Sequence, residues 1–365
     1  MGRFRLSLEA WARLSGKLEP GRARLSWRTR AAYRFSGACY SFLRRVQHQS
    51  HADALNAVTI APPLFLMGFW RSGTTFLHEL FCCDARFGFP STYACLNPSH
   101  FLLAERVISA RAARQETRRP MDAMQYSWGS PQEDEFALLA LGAPSPYEAL
   151  LVPSLMRNAR LLVDLQSRAI EEQQRWTEAI QYFMRLLTVQ QGKPMVLKSP
   201  PHGFRLPLLP QLFPGSRYVV IERNPFEVFA SNLKLWRTLL NMYSLESFSM
   251  EDVETFVLAA YLLHEEAITA GERVLQPGSL ARVRYEDLVK NPIKEIARLY
   301  GELSLGDFEP VRPRIERHLA GVAGHTRNSF RLSETQKRRI EEVWGKTILG
   351  KGYSWPEDRI SVGTR

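Results

Sequence analysis

Apolar and basic positions recur at helical spacing through residues 6–18 and again through 27–46, with Glu19-Pro20-Gly21 breaking the pattern between them. Both helices are expected at the periphery. A short apolar run, 64–67, follows Pro62-Pro63 and passes through Gly68 to Gly73 into a helical pattern over 75–83, which predicts a strand, a loop and a helix in succession. Residues 160–191 are rich in helix formers and carry Leu161, Leu165, Ile170, Trp176, Ile180, Phe183 and Leu187 near a 3.6-residue period, so one long helix is predicted. After Gly192 the pattern changes to a strand at 195–198, a helix near 204–212 and the densest strand signal in the chain, Tyr218-Val219-Val220-Ile221. A helix follows Asn224-Pro225, and the alternation continues through a helix at 251–275, a strand at 280–284 and a helix at 292–303. Strands alternating with helices in this way spell an α/β protein, a mostly parallel sheet with helices on both faces in three layers.

Composition changes this picture little, but charge does. The chain has 365 residues, 45% hydrophobic and 23% charged, which is the range of soluble globular proteins. Of the net charge of +11, a balance of +9 lies in residues 1–45, where ten arginines and Lys17 face only Glu9 and Glu19. Three segments are therefore expected: a basic helical extension at 1–60, an α/β domain at 61–355 and a tail at 356–365. The extension is either a solvated segment or one that touches an anionic membrane surface or an acidic partner; peripheral membrane contact through residues 1–45 is the contact carried forward, and nucleic acid is not expected. Four cysteines, two of them adjacent at 82 and 83, make no disulfide framework and favour a reducing compartment. No apolar run reaches membrane-spanning length, so the expected location is cytoplasmic, with membrane association through the basic segment.

The candidate chemistry begins at Gly68-Phe69-Trp70-Arg71-Ser72-Gly73-Thr74-Thr75, two glycines five apart between a strand and a helix. Glycines let the backbone approach an anion, and the free N–H groups and dipole of the helix start attract it. A Walker loop would place Lys directly after the second Gly; here Thr74 occupies that position and the cation, Arg71, lies inside the loop. The strong strand ends Ile221-Glu222-Arg223, with a cation where a nucleotide hydrolase would hold a metal-binding Asp. Cys82, Cys83 and Cys95 lack zinc spacing, so no metal is assigned.

These residues resemble the sulfotransferases that use 3′-phosphoadenosine 5′-phosphosulfate (PAPS). Arg71-Ser72-Gly73-Thr74-Thr75-Phe76 is similar to their 5′-phosphosulfate loop, Arg223-Asn224-Pro225 with Ser231 to their 3′-phosphate site, and 282–288 to the strand and turn whose tyrosine, here Tyr285, packs near adenine. The resemblance runs over 63–353 and is nearest to a bacterial-type subgroup marked by Arg119-Pro120-Met121-Asp122, Pro131-Gln132-Glu133-Asp134-Glu135 and 197–202. It implies a P-loop nucleotide-kinase-like fold, PAPS as donor, the bisphosphate PAP as product and no metal. Arg327 is its candidate for a late cation on the 3′ phosphate.

Charge grows on the 5′ oxygen as a sulfuryl group leaves it, so donors fixed there lower the barrier. Arg71, Lys198 and the 72–75 backbone are the candidates. The acceptor hydroxyl needs a base within hydrogen-bond reach. Cytosolic relatives place a histidine two residues after the lysine, and Pro200 stands there in this chain. Glu133 is the preferred base and Asp134 the second, on a helix expected over 132–141, with Glu135 and His202 as further candidates. Tyr93, Tyr126, Trp128, Phe136 and Tyr147 either line an acceptor pocket or form core. A small-molecule, carbohydrate or lipid hydroxyl all remain open as acceptor. A phosphate-loop kinase and a basic membrane- or nucleic-acid-binding protein are the alternatives.

Overall fold

Four short strands, β1 (Leu64–Met67), β2 (Val196–Lys198), β3 (Arg217–Glu222) and β4 (Leu280–Arg284), form a parallel sheet in the order β2-β1-β3-β4. They belong to a computed structural model that describes residues 4–112, 117–118, 125–322 and 332–353. Leu64 pairs with Val196 on one side and Arg217 on the other, and Val219 pairs with Ala281. The chain leaves β1 for β2 at one edge and then crosses to β3 on the other side, so the loop after β1 opens at the point where strand order reverses. Open parallel sheets bind ligands at that point, beyond the carboxyl ends of the strands.

The helices used below are α1 (Leu8–Ser15), α2 (Trp27–Ser50), α3 (Thr74–Phe81), α4 (Glu135–Leu141), α5 (Ile170–Gln191), α6 (Pro225–Tyr243), α7 (Met250–Glu272), α8 (Tyr285–Lys290), α9 (Pro292–Glu302) and α10 (Glu334–Gly350). Strand residues alternate between two covers. Leu64, Leu66, Val219 and Ile221 pack with Leu77, Leu80 and Phe81 of α3 and with Ile296 and Leu299 of α9, whereas Phe65, Met67, Tyr218 and Val220 pack with Trp176, Ile180 and Phe183 of α5. Burial on both faces explains why β1 and the centre of β3 are continuous apolar runs.

Four expectations need correction. The helix predicted over 160–191 is broken: Asp164 Oδ1 accepts from the Gln166 N–H at 2.9 Å, and Arg168 turns inward to donate to the Leu162 carbonyl at 2.8 Å. These side-chain bonds compete with the helical ladder, and α5 starts only at Ile170. The segment 204–212 is a 3₁₀ turn, Pro200–Arg205, and a single turn at Leu209–Leu212, since prolines at 200, 201, 207 and 210 deny it a continuous ladder. The helix expected from 132 starts at Glu135, so Glu133 and Asp134 precede it.

The last correction concerns the N-terminus. α1 is not peripheral: Leu6, Ala10, Trp11 and Leu14 are buried in the same core as Trp236 and Trp344, and Ser7 N–H donates to the Ala140 carbonyl at 2.9 Å. Its basic residues are internal partners. Arg13 and Lys17 meet Arg168 around the buried Glu148 carboxylate. Burial opposes that charge, but the attraction of Arg168, Arg13 and Lys17 outweighs it and holds Glu148 below the usual carboxyl range. The proposed tail at 356–365 lies outside the described residues. Among the described residues no helix is long and apolar enough to cross a membrane.

Candidate active site

The loop after β1 is shaped by close approaches. A Cβ on Gly68 would lie 2.5 Å from the Ile221 carbonyl oxygen, and one on Gly73 would lie 2.3 Å from the Tyr285 ring. Arg71 and Gly73 take left-handed φ values of 69° and 98°, which turn the chain into α3. Thr74 is buried in the first turn of α3, Thr75 is half-buried, and Phe76 packs against the core under the sheet. Ser72 Oγ is buried without a hydrogen-bond partner among the described residues. An unsatisfied buried hydroxyl inside a glycine-lined turn, at the positive end of a helix, fits an anionic group.

One side of the loop gathers the arginines. Arg71 Nε donates to Ser231 Oγ at 2.9 Å, and Arg223 Nη1 donates to the Arg71 carbonyl at 3.2 Å. Arg223 also lies 4.4 Å over the Tyr285 ring and donates through Nε to Glu227 at 3.0 Å, the ion pair that the i, i+4 spacing allows. Asn224 caps α6 through the Phe226 N–H at 3.0 Å, which fixes the turn that carries Arg223. Arg71, Gly73, Arg223, Ser231 and Tyr285 are therefore joined by close contacts around the loop that carries Ser72. Arg327 lies outside the described residues.

The other side gathers the acids. Three consecutive carboxylates each meet one nitrogen-bearing side chain of the β2 end and the 3₁₀ turn after it. Lys198 Nζ donates to Glu133 Oε1 at 2.8 Å, His202 Nε2 lies 2.8 Å from Asp134 Oδ2, and Arg205 grips Glu135 with two bonds of 2.6 and 2.9 Å. These pairs differ in depth. The side chain of Glu133 is 16% exposed, against 1% for Asp134 and 0% for Glu135. His202 is likewise buried, edge-on to Phe65. Breaking a buried pair such as Glu135–Arg205 costs about 3–5 kcal/mol, so that pair acts as a strut, and Asp134 is buried against His202 beside it. Glu133 alone of the three keeps more than 1% of its side chain exposed, and it lies beside Lys198.

Two hydrogen-bond partners are not marked as such in the sequence. Tyr147 donates its hydroxyl to Glu133 and accepts from Trp70 Nε1 at 3.1 Å, linking the phosphate loop to the acid. Burial first, and then the Glu133 charge, push the Tyr147 hydroxyl well above its ordinary range, so it stays a donor. Asn232 of α6 donates to the Trp70 carbonyl at 2.8 Å. The expected aromatic cluster divides: Phe136 stacks on Tyr147 at 5.0 Å beside Glu133, whereas Tyr93 and Trp128 meet at 5.6 Å in the core under α5.

A glycine-lined loop at the switch point of a parallel sheet, with two arginines on one side and a lysine–carboxylate pair on the other, is an arrangement suited to an anionic nucleotide. A sequence model of the Sulfotransferase family matches residues 62–310, and the chain belongs to that family. It is a sulfotransferase, and the kinase alternative falls with that assignment. It is 34% identical over 312 residues to the omega-hydroxy-beta-dihydromenaquinone-9 sulfotransferase Stf3 of Mycobacterium bovis, covering 86% of this chain and 78% of the relative. The Mycobacterium tuberculosis protein of the same name matches equally. Among solved structures, sulfotransferase STF1 from Mycobacterium tuberculosis aligns with a TM-score of 0.66 at 20% identity, covering 92% of this chain and 93% of that one. STF9 from Mycobacterium avium gives 0.66 at 17% identity, covering 86% and 82%. These two share the fold.

Proposed function

We propose that the protein transfers the sulfuryl group of PAPS to a hydroxyl on a long, largely apolar acceptor, with Glu133 as base and Lys198 as the principal side-chain donor to the transferring group. The observation that carries this is the 2.8 Å contact between Lys198 Nζ and Glu133 Oε1 at the carboxyl end of β2. Bound PAPS supplies a sulfuryl group on a stable phosphate leaving group. The N–H groups of 72–75 and Arg71 stabilise charge at the 5′ end, Lys198 neutralises charge on the equatorial oxygens, and Glu133 takes the acceptor proton. Ser72, Gly73, Thr74, Thr75 and Phe76 form the cradle; Arg223 and Ser231 hold the 3′ phosphate, with Tyr285 beside the base and Arg327 as a further cation. Asp134 is assigned a positioning part through His202.

An apolar acceptor is favoured by the aromatic cluster that begins at Glu133: Tyr147, which donates to it, Phe136 stacked on Tyr147 at 5.0 Å, and Phe4 on Phe136 at 6.3 Å. The omega-hydroxylated quinone in the relative's name points the same way. Transfer of radiolabelled sulfate from PAPS into a lipid extract, with identification of the labelled product, tests the reading; label in water-soluble acceptors alone would refute it. Arg223→Ala is expected to weaken PAP binding about 10- to 100-fold in calorimetric titration, the loss of a hydrogen-bonded charge, with turnover at saturating donor changed far less.

A further inference from the structure

α2 lies outside this chemistry. Over 24 residues it carries five arginines and no acid. Its inner side is fixed by Tyr33, stacked on Trp11 at 4.4 Å, and by Gly37, where a Cβ would lie 3.0 Å from Leu8 Cα. At about 100° per residue, the opposite side is the stripe Trp27, Ala31, Phe35, Ala38 and Phe42, all exposed. The three aromatics are 74, 76 and 64% exposed. Arg28, Arg30, Arg34 and Arg45 flank the stripe and are also exposed.

Aromatic rings aligned on one face and bordered by guanidinium groups are the composition of a helix lying in a headgroup layer, with its rings dipping toward the acyl chains. Charge selects the occupant. A second copy meeting this face about a two-fold axis would set arginines against arginines, with no acid on either helix to neutralise them. Anionic lipid supplies the missing charge. We propose that the outward face of α2 docks the protein on an anionic bilayer, with Trp27, Phe35 and Phe42 as the inserted anchors.

The docking helix is joined to the active site. α1 crosses the inner side of α2, where the Leu8 N–H donates to Ser41 Oγ at 3.0 Å, and Phe4, just ahead of α1, packs on Tyr243 and Phe136. One N-terminal unit thus carries both the anchors and an aromatic wall near Glu133. Docking stands without the acceptor assignment; its value in delivering a lipid acceptor rests on the proposed function.

The test is co-sedimentation of the full chain with vesicles of phosphatidylcholine, with and without phosphatidylglycerol, at low and high salt. The protein is expected to pellet only with the anionic vesicles and to be released by salt. The triple variant Trp27→Ala/Phe35→Ala/Phe42→Ala should lose more than about tenfold in vesicle affinity, and each of Arg28, Arg30, Arg34 and Arg45 changed to Gln about fivefold. PAP titration of every variant should match the unaltered protein, which separates a failed surface from a failed fold or a failed functional reading. Equal binding to neutral vesicles, binding indifferent to the triple variant, no binding at all, or a dimer in sedimentation velocity that the triple variant dissolves would each overturn the proposal.

Discussion

Lys198→Ala is expected to lower turnover about 10²- to 10³-fold, the usual consequence of removing one preorganised donor to developing charge, while PAP binds with nearly unchanged affinity. The expectation follows from position. Lys198 closes β2, its side chain is 2% exposed, and its ammonium donates to Glu133 at 2.8 Å. A charge held in so dry a place needs no solvent reorganisation when the sulfuryl group moves past it. In the proposed function, affinity for the product depends on a different set of contacts, at Arg223, Ser231 and the loop. Rapid-quench single turnover together with PAP calorimetry separates these effects. Lys198→Arg serves as the control for the charge left on Glu133, and full turnover in Lys198→Ala would remove the residue from the mechanism.

Much of this architecture was legible because buried parallel strands announce themselves. β1 and β3 are covered on both faces, so their residues read as apolar runs, and the loop after β1 carries glycines that its contacts with Ile221 and Tyr285 require. What was hidden depends on partners far along the chain. Arg13 and Lys17 look like surface charge until Glu148 appears 135 and 131 residues later as their buried partner. Asp164 and Arg168 satisfy a helical pattern, yet their side chains capture nearby backbone and end it. Glu133, Asp134 and Glu135 are nearly equivalent as letters. Only the pairing with Lys198, His202 and Arg205, between 65 and 70 residues away, distinguishes the acid at the cleft from the two that brace it. Tyr147 was visible as an aromatic residue but not as a hydroxyl bound to Glu133.

That distinction makes the second large prediction specific. Glu133→Gln is expected to reduce turnover about 10²- to 10⁴-fold, the range for loss of a general base, with PAP affinity and folding preserved. Glutamine keeps the volume, and its carbonyl oxygen can still accept from Lys198 or from Tyr147, so the side chain stays in place while losing its ability to take a proton. The counterpart is Asp134→Asn. Because Asp134 is buried against His202 and faces away from solvent, its substitution should lower the melting temperature, while the folded fraction turns over within a few-fold of the unaltered enzyme. Measuring kcat for both variants at saturating PAPS, alongside thermal unfolding, gives opposite signatures for a base and a strut. Full kcat in Glu133→Gln with a large loss in Asp134→Asn would move proton abstraction to the Asp134–His202 pair, and would require the cleft to open toward a pair that the 3₁₀ turn after β2 now encloses.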